Sequence, residues 1–600
     1  MTETAAANGS RSGRVGELPE WELGDLYPAM DSAELKADLE AARTAATAFE
    51  ERYEGRIKDL DGPALGKAIG EYERIEERLA RVSSYAQLVF AGDMNDPAIA
   101  RFYQTMQERV TDVSTHVLFF TLELNRLDDD RLEEMMTAPE AARYRPWVRD
   151  VRVFRPHQLS DDLEKMLHEK HVAAAAAWAR LFDETLVGLR FAVDGKELTE
   201  TEVLHLLVDK DGATRRKAAE ALGRVLGENI RTFALITNTL AKDKEIEDRW
   251  RHYAAPESAR NLSNHVEDEV VEALASAVRR AYPRLSHRYY AVKARWFGVD
   301  QLDYWDRNAP LPEAEDRIIP WAEAKTKVLD AYAAFSGRMA DVGRRFFERP
   351  WIDAGPRPGK ASGAFSHSTV PSVHPYILLN YQGRIRDVMT LAHELGHGVH
   401  QVLAAPKGHL MADTPLTLAE TASVFGEMLT FRALLEAETD PTRRRVMLAT
   451  KVEDMLNTVV RQVAMFEFER RLHRERREAE LTAEHIGEIW LETQRESLGP
   501  ALRLGGGYRH FWAYIPHFVH SPFYVYAYAF GDCLVNSLYA VYQEGLEGFA
   551  EKYLDMLEAG GTLRHRELLA PFGLDASAPA FWDKGLDIIA GFIDELEALA

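Results

Sequence analysis

Through most of this chain, apolar residues recur three and four positions apart between charged ones, and that spacing confines it to a mainly α-helical fold. The pattern runs through 34–53, 65–88, 269–297 and 443–480, each of which reads as one helix rich in alanine, leucine, glutamate and arginine. Two stretches break it. Over 347–383, prolines and glycines cluster ahead of the β-prone run Tyr376-Ile377-Leu378-Leu379-Asn380-Tyr381, which predicts a small strand or hairpin before the next helix. Over 505–522, Gly505, Gly506 and Gly507 open an irregular segment that reads either as a hinge or as a connecting turn. The turn residues Val193-Asp194-Gly195-Lys196 suggest a boundary near residue 200. The expected division is a flexible tail over 1–18, an N-terminal helical domain over 19–200 and a larger domain over 201–600.

Six hundred residues are ample for more than one domain. A formal net charge of -23 argues against a sequence-independent grip on nucleic acid or on anionic membranes. The single cysteine, Cys533, excludes an intrachain disulfide and a cysteine-rich zinc site, so any metal must be held by histidine and carboxylate. Residues 1–18 lack the apolar core of a signal peptide. No uncharged apolar run reaches the roughly 18 residues of a membrane helix; the nearest, 523–542, is interrupted by Asp532 and Asn536. The expected location is the cytoplasm.

His393-Glu394-Leu395-Gly396-His397 carries the clearest chemistry. It lies in an amphipathic helix predicted over 387–403, with Val388, Leu391, Leu395, Val399 and Val402 at the apolar positions. Histidines four apart stand one turn apart on one face, so both imidazoles can reach one ion. Glu394, beside the first of them, is placed to take a proton from water that the metal activates. Imidazole and carboxylate ligands suit zinc, one ion per chain.

A third ligand must come from elsewhere. Residues 416–427 read as a second helix opened by Thr414-Pro415, on which Glu420 and Glu427, seven apart, share a face. A carboxylate on that mixed face needs a cation or a hydrogen-bond partner. Glu420 is assigned to the metal, and Glu427 to orienting a ligand histidine. The competing reading makes one of them a salt bridge, for instance with Arg432. His400, His409 and Asp413 are the other candidates; the two histidines read as packing or surface residues.

In these motifs and in several further segments, the chain resembles the oligoendopeptidase F branch of the thimet oligopeptidase family. The similar segments are Trp21-Glu22-Leu23-Gly24-Asp25-Leu26-Tyr27-Pro28, Arg155-Pro156-His157-Gln158-Leu159-Ser160, Ala177-Trp178-Ala179-Arg180-Leu181-Phe182, Tyr304-Trp305-Asp306-Arg307-Asn308-Ala309-Pro310-Leu311 and Pro375–Tyr381, besides the metal motif and Glu420–Glu427. The resemblance implies a two-lobed helical metallopeptidase with a deep substrate channel and a small β-sheet near the zinc helix. It implies endopeptidase action on short oligopeptides, and makes 201–600 the catalytic domain. It also implies that His517, in Ile515-Pro516-His517-Phe518, and Tyr524 and Tyr528 stabilise the tetrahedral intermediate, as donors aimed at a developing oxyanion would. Tyr524 and Tyr528 lie four apart and can share a helix face, whereas Tyr526 points elsewhere. The alternative for each tyrosine is an aromatic core stripe. Val519-His520-Ser521 departs from the family's more aromatic pattern, and His520 is read as incidental. Lys360–Ser366 resembles the family's glycine-containing segment before the strand, whose edge can pair with an extended peptide.

Two other functions fit part of this pattern. A metallocarboxypeptidase on a similar helical scaffold would need a free C-terminal carboxylate in its substrate. A non-catalytic peptide-binding protein would have no use for Glu394.

Overall fold

The computed structural model describes residues 15–171, 173–311 and 318–599, most of them helical. Their contacts fall into two compact units. The first comprises the described residues of Met1–Arg155, Asp316–Ala437 and Gly545–Gly573, the second those of Pro156–Glu315, Glu438–Glu544 and Leu574–Ala600. Each is built from three separated stretches, so the spatial grouping does not follow a single cut near residue 200. Of the tail expected over 1–18, residues 1–14 lie outside the described residues; Val15 is buried beside Gly383. Among the described residues, no helix is long and apolar enough to cross a membrane.

In the first unit, a three-stranded sheet forms from β1 (Ile352–Asp353), β2 (Phe365–His367) and β3 (Tyr376–Leu378) in the order β1-β3-β2. β3 pairs parallel to β1 and antiparallel to β2, with Ser366 opposite Ile377. The expected strand at 376–381 is therefore the centre of a sheet, and β2 is one of its edges. The chain's opening segment packs onto it: Ala354 N donates to Pro19 O (2.9 Å), Tyr376 Oη donates to Glu22 O (3.0 Å), and the Trp21 ring meets that of Tyr376 edge-on. Lys360 serves this sheet from inside. Its ammonium and Asp353 are both fully buried, 2.6 Å apart, and it also donates to the carbonyls of Gly355 and Leu379. A charge so placed needs every one of those partners, which gives the Lys360–Ser366 segment a structural duty at its first residue.

Helix α1 (Ile385–Ala404) follows the sheet. Asp387 starts it, its Oδ2 accepting from the backbone N–H groups of Gln382 (2.8 Å) and Arg384 (2.9 Å); Pro406 and the left-handed Gly408 (φ 88°) end it. Val388, Leu391, Leu395, Val399 and Leu403 are buried on it, each contributing about 1.5–3 kcal/mol by leaving water. The helix expected over 416–427 proves to be two pieces, a single turn at Leu416–Ala419 and helix α2 (Thr421–Ala437), with the interruption at Glu420.

The second unit breaks two more of the expected helices. The stretch 269–297 divides into Asp268–Ala281 and Ser286–Trp296 around a 3-10 turn containing Pro283, which has no N–H to continue the ladder. The stretch 443–480 divides at Val459 into Pro441–Thr458 and α3 (Val460–Glu478). Gly507 meets a neighbouring backbone, since a Cβ on Gly223 would lie 2.8 Å from Gly507 Cα, and Gly505 faces the Tyr304 ring. With Trp490 Nε1 donating to Tyr508 O at 3.1 Å, this segment is packed in place, which favours the connecting turn over the hinge. Further on, a turn of helix at His517–His520 precedes helix α4 (Tyr526–Gln543).

Candidate metal centre

Helix α1 presents His393 and His397 on one face, 5.0 Å apart between ring centroids. Across from them, Glu420 Oε2 lies 3.3 Å from His393 Nε2 and 3.5 Å from His397 Nε2. The three ligand atoms all lie within 4.8 Å of one another, and among the described residues this is the only such group able to hold a metal ion. Ligands bound tetrahedrally at zinc distances sit about 3.3 Å apart, so two imidazoles and a carboxylate here fit the ion with little adjustment. Asp413, His400 and His409 are not in the group.

Each ligand is oriented from behind. His393 Nδ1 donates to Glu427 Oε2 at 3.2 Å, leaving Nε2 for the ion. The Ala419 backbone acts to favour the charged form of His397, and Glu420 Oε2 accepts from Ser423 Oγ at 2.7 Å. The Glu427 contact follows the helical spacing of the two glutamates. The Ala419 and Ser423 contacts had no sequence signal, because a backbone carbonyl is anonymous and Ser423 reads as an ordinary helix residue.

The electrostatics suit a cation. Burial acts to lower the His393 pKa, but hydrogen bonds to Glu420 and Glu427 override it and raise it to about 10. Burial acts to raise Glu420, yet His393 and His397 pull it down to about 2. Burial dominates at His397, lowering it to about 4. Glu394, only 7% exposed, is pushed up to about 7 by burial, against the pull of His393 and the Ser366 N–H. Ser366 belongs to the β2 edge, which thus bears on this carboxylate. Gln401, on the same helix, accepts from Ser366 Oγ at 2.9 Å.

Gly396 makes the closeness possible. A Cβ there would stand 2.4 Å from Ala422 O, so α1 and α2 touch backbone to backbone at the level of the ligands. Gly396→Ala must push α2 away and carry Glu420 with it. The expected result is a 10–100-fold loss of metal affinity, the scale of a lost supporting contact. Titration with a competing chelator reads it; parental affinity would show that the helices yield without disturbing Glu420.

Beside His397 and Ala419 opens a cavity of about 720 Å³, walled by Val370, Pro371, His400, Gln401 and Leu410 among others. His400 is 6% exposed and kept neutral by burial, its pKa lowered to about 4. It lines this cavity in place of binding the metal.

The other expected residues gather in the second unit. His517 Nε2 lies 3.3 Å from Tyr528 Oη, and the Tyr524 ring is 5.3 Å from that of Tyr528. All three side chains are half-buried. Tyr526, in contrast, is core, its hydroxyl accepting from Asn264 Nδ2 at 2.9 Å. His520 pairs with Asp183 on the surface, at 2.8 Å.

Residues 205–588 match the model of peptidase family M3, and residues 123–191 match that of oligopeptidase F. The chain belongs to peptidase family M3. Among relatives of this M3 peptidase, oligopeptidase PepF of Bacillus subtilis is 25% identical over 595 residues, covering 96% of this chain and 87% of its own. Two crystal structures, both 22% identical, share the fold. A Chlamydophila abortus protein superposes with a TM-score of 0.85, covering 97% of this chain and 100% of its own. The oligoendopeptidase F of Enterococcus faecium gives 0.70, with 94% and 99% covered. The M3 peptidase is thus a mainly α-helical hydrolase of peptide bonds, whose family implies a catalytic metal.

Proposed function

We propose that this M3 peptidase is a zinc-dependent endopeptidase that cuts internal bonds of short, unstructured oligopeptides. The observation that carries this is the convergence of His393, His397 and Glu420 on one point, with the buried carboxylate of Glu394 on the same helix. Zinc, when bound there, polarises the scissile carbonyl and makes the attacking water more acidic. Glu394 takes the proton from that water and delivers it to the leaving amine. Glu427 keeps the His393 ring turned so that Nε2 faces the ion. His517, Tyr524 and Tyr528 supply donors that strengthen as charge gathers on the carbonyl oxygen, a role supported by the family resemblance of their segment. The cavity beside His397 has the volume of sites that enclose a small ligand, which suits part of an extended peptide. In sequence, the two family matches, 123–191 and 205–588, fall on either side of the boundary near residue 200, which supports that division of the chain although each compact unit draws on both sides of it.

Blocked peptides of graded length test the whole reading. Those of roughly five to twenty residues should be cut internally and folded proteins spared, since a site sized for small ligands admits only extended chain. A chelator should stop the reaction and zinc restore it. Mass analysis of the products decides: release of single C-terminal residues, and only from unblocked peptides, would make the protein a carboxypeptidase. Efficient cleavage of a stable folded protein would remove the restriction to oligopeptides.

A further inference from the structure

Helix α3 carries a carboxyl that the proposed chemistry does not use. Glu469 is 2% exposed. Its Oε1 accepts the backbone N–H of Phe523 at 2.8 Å, and its Oε2 is buried with no hydrogen-bond partner among the described residues. Burial pushes its pKa up to about 8, against the Phe523 N–H, Arg260 and Lys244. An apolar side chain of the same size would spare the unmet oxygen but leave the buried Phe523 N–H without an acceptor, so what this carboxyl does is hold that backbone.

What the carboxyl holds is unusual. Phe523 has φ +60°, a left-handed conformation that a bulky side chain rarely adopts. The residue on either side is also gripped or consequential. Pro522 O accepts from Arg260 Nε at 3.2 Å, and the Arg260 guanidinium lies 5.8 Å from the Tyr524 ring. The Phe523 ring is fully buried against Phe466 and His473. The turn closes with Tyr524 N donating to Ser521 O at 3.1 Å, and the chain then enters α4 with Tyr528 one turn on. The direction in which Tyr524 leaves the turn therefore depends on the backbone at Phe523.

We propose that Glu469 is a positioning residue: by holding Phe523 in its left-handed conformation, it sets Tyr524 and Tyr528 beside His517. This rests on the reading that those three residues act in the reaction, and the experiment separates the two ideas. The full-length, zinc-loaded protein is assayed on one blocked peptide as Glu469→Met, Glu469→Gln, Tyr524→Phe and Glu469→Met/Tyr524→Phe, with zinc content and thermal melting measured alongside. Glu469→Met should lower kcat by about 10²-fold, the scale of an ångström-sized misplacement, with KM little changed. Glu469→Gln keeps an acceptor for the Phe523 N–H and should retain the parental rate. The double variant should fall well short of the product of the two single losses, because Glu469→Met already takes the Tyr524 hydroxyl from its place. A parental kcat in Glu469→Met, or losses that multiply in the double variant, would overturn the positioning role. Should Glu469→Met not fold, Arg260→Met loosens the same turn from the partly exposed side; there a parental kcat overturns the proposal and a lowered one at unchanged KM supports it. If His517→Ala, Tyr524→Phe and Tyr528→Phe all keep the parental kcat, in place of a loss of about 10²–10³-fold for a true oxyanion donor, the catalytic reading of the cluster falls, and the positioning role falls with it.

Discussion

Glu394→Gln leaves zinc content at the parental level and lowers kcat by about 10²–10⁴-fold, the contribution of a positioned general base. The substitution changes one atom. Glutamine keeps the volume of a side chain that is 7% exposed in the interior of α1, so packing does not change. It leaves His393, His397 and Glu420 untouched. What it loses is the ability to take a proton. Because the residue binds no metal, the deficit lies in turnover and not in ion affinity, and KM for a blocked peptide stays near the parental value. Kinetics beside metal analysis on the same preparation make the check. Loss of zinc in step with activity would turn Glu394 into a ligand, and a parental kcat would take the base out of the mechanism.

Glu420→Ala produces the opposite pairing, with metal and activity lost together. Only two imidazoles remain, and Ser423 Oγ loses the carboxylate it donates to, keeping the Glu420 carbonyl at 3.0 Å. A direct ligand matters more than the supporting contacts whose loss costs 10–100-fold, so affinity should fall by more than about 100-fold. Melting temperature reports this independently of turnover. At zinc a thousandfold above the parental Kd, binding stabilises the fold by about 4 kcal/mol, and a hundredfold weaker site retains only about 1.4 kcal/mol. The variant should therefore show little of the zinc-dependent rise in melting temperature seen in the parent. Full zinc content in Glu420→Ala would exclude it as the third ligand and bring Asp413, on the loop before the Leu416–Ala419 turn, under test.

The histidine pair and Glu394 were legible in the sequence because their arrangement is local. Residues four apart on a helix face one another whatever surrounds them, and the apolar spacing of 387–403 showed that the helix would form; it extends over Ile385–Ala404. The pairing of Glu420 with Glu427 was legible for a similar reason, although the interruption at Glu420 was not. Helical periodicity persists on both sides of a short interruption, so the breaks at Glu420, at Tyr282–Arg284 and at Val459 leave the apolar pattern intact. Of these, only the second carried a residue-level signal, in Pro283.

Which oxygen meets which nitrogen was decided by tertiary structure alone. The 3.3 and 3.5 Å approaches of Glu420 to the two imidazoles depend on how near α2 comes to α1, and Gly396, whose missing Cβ permits it, reads in sequence as a filler inside the motif. The backbone of Ala419 behind His397 and the buried Glu469 beneath Phe523 belong to the same class. A helix's own hydrogen bonds set positions a few residues apart, and one sequence contains that geometry in full. Contacts between residues far apart in the chain arise only when packing brings backbones together, and no local pattern encodes that distance.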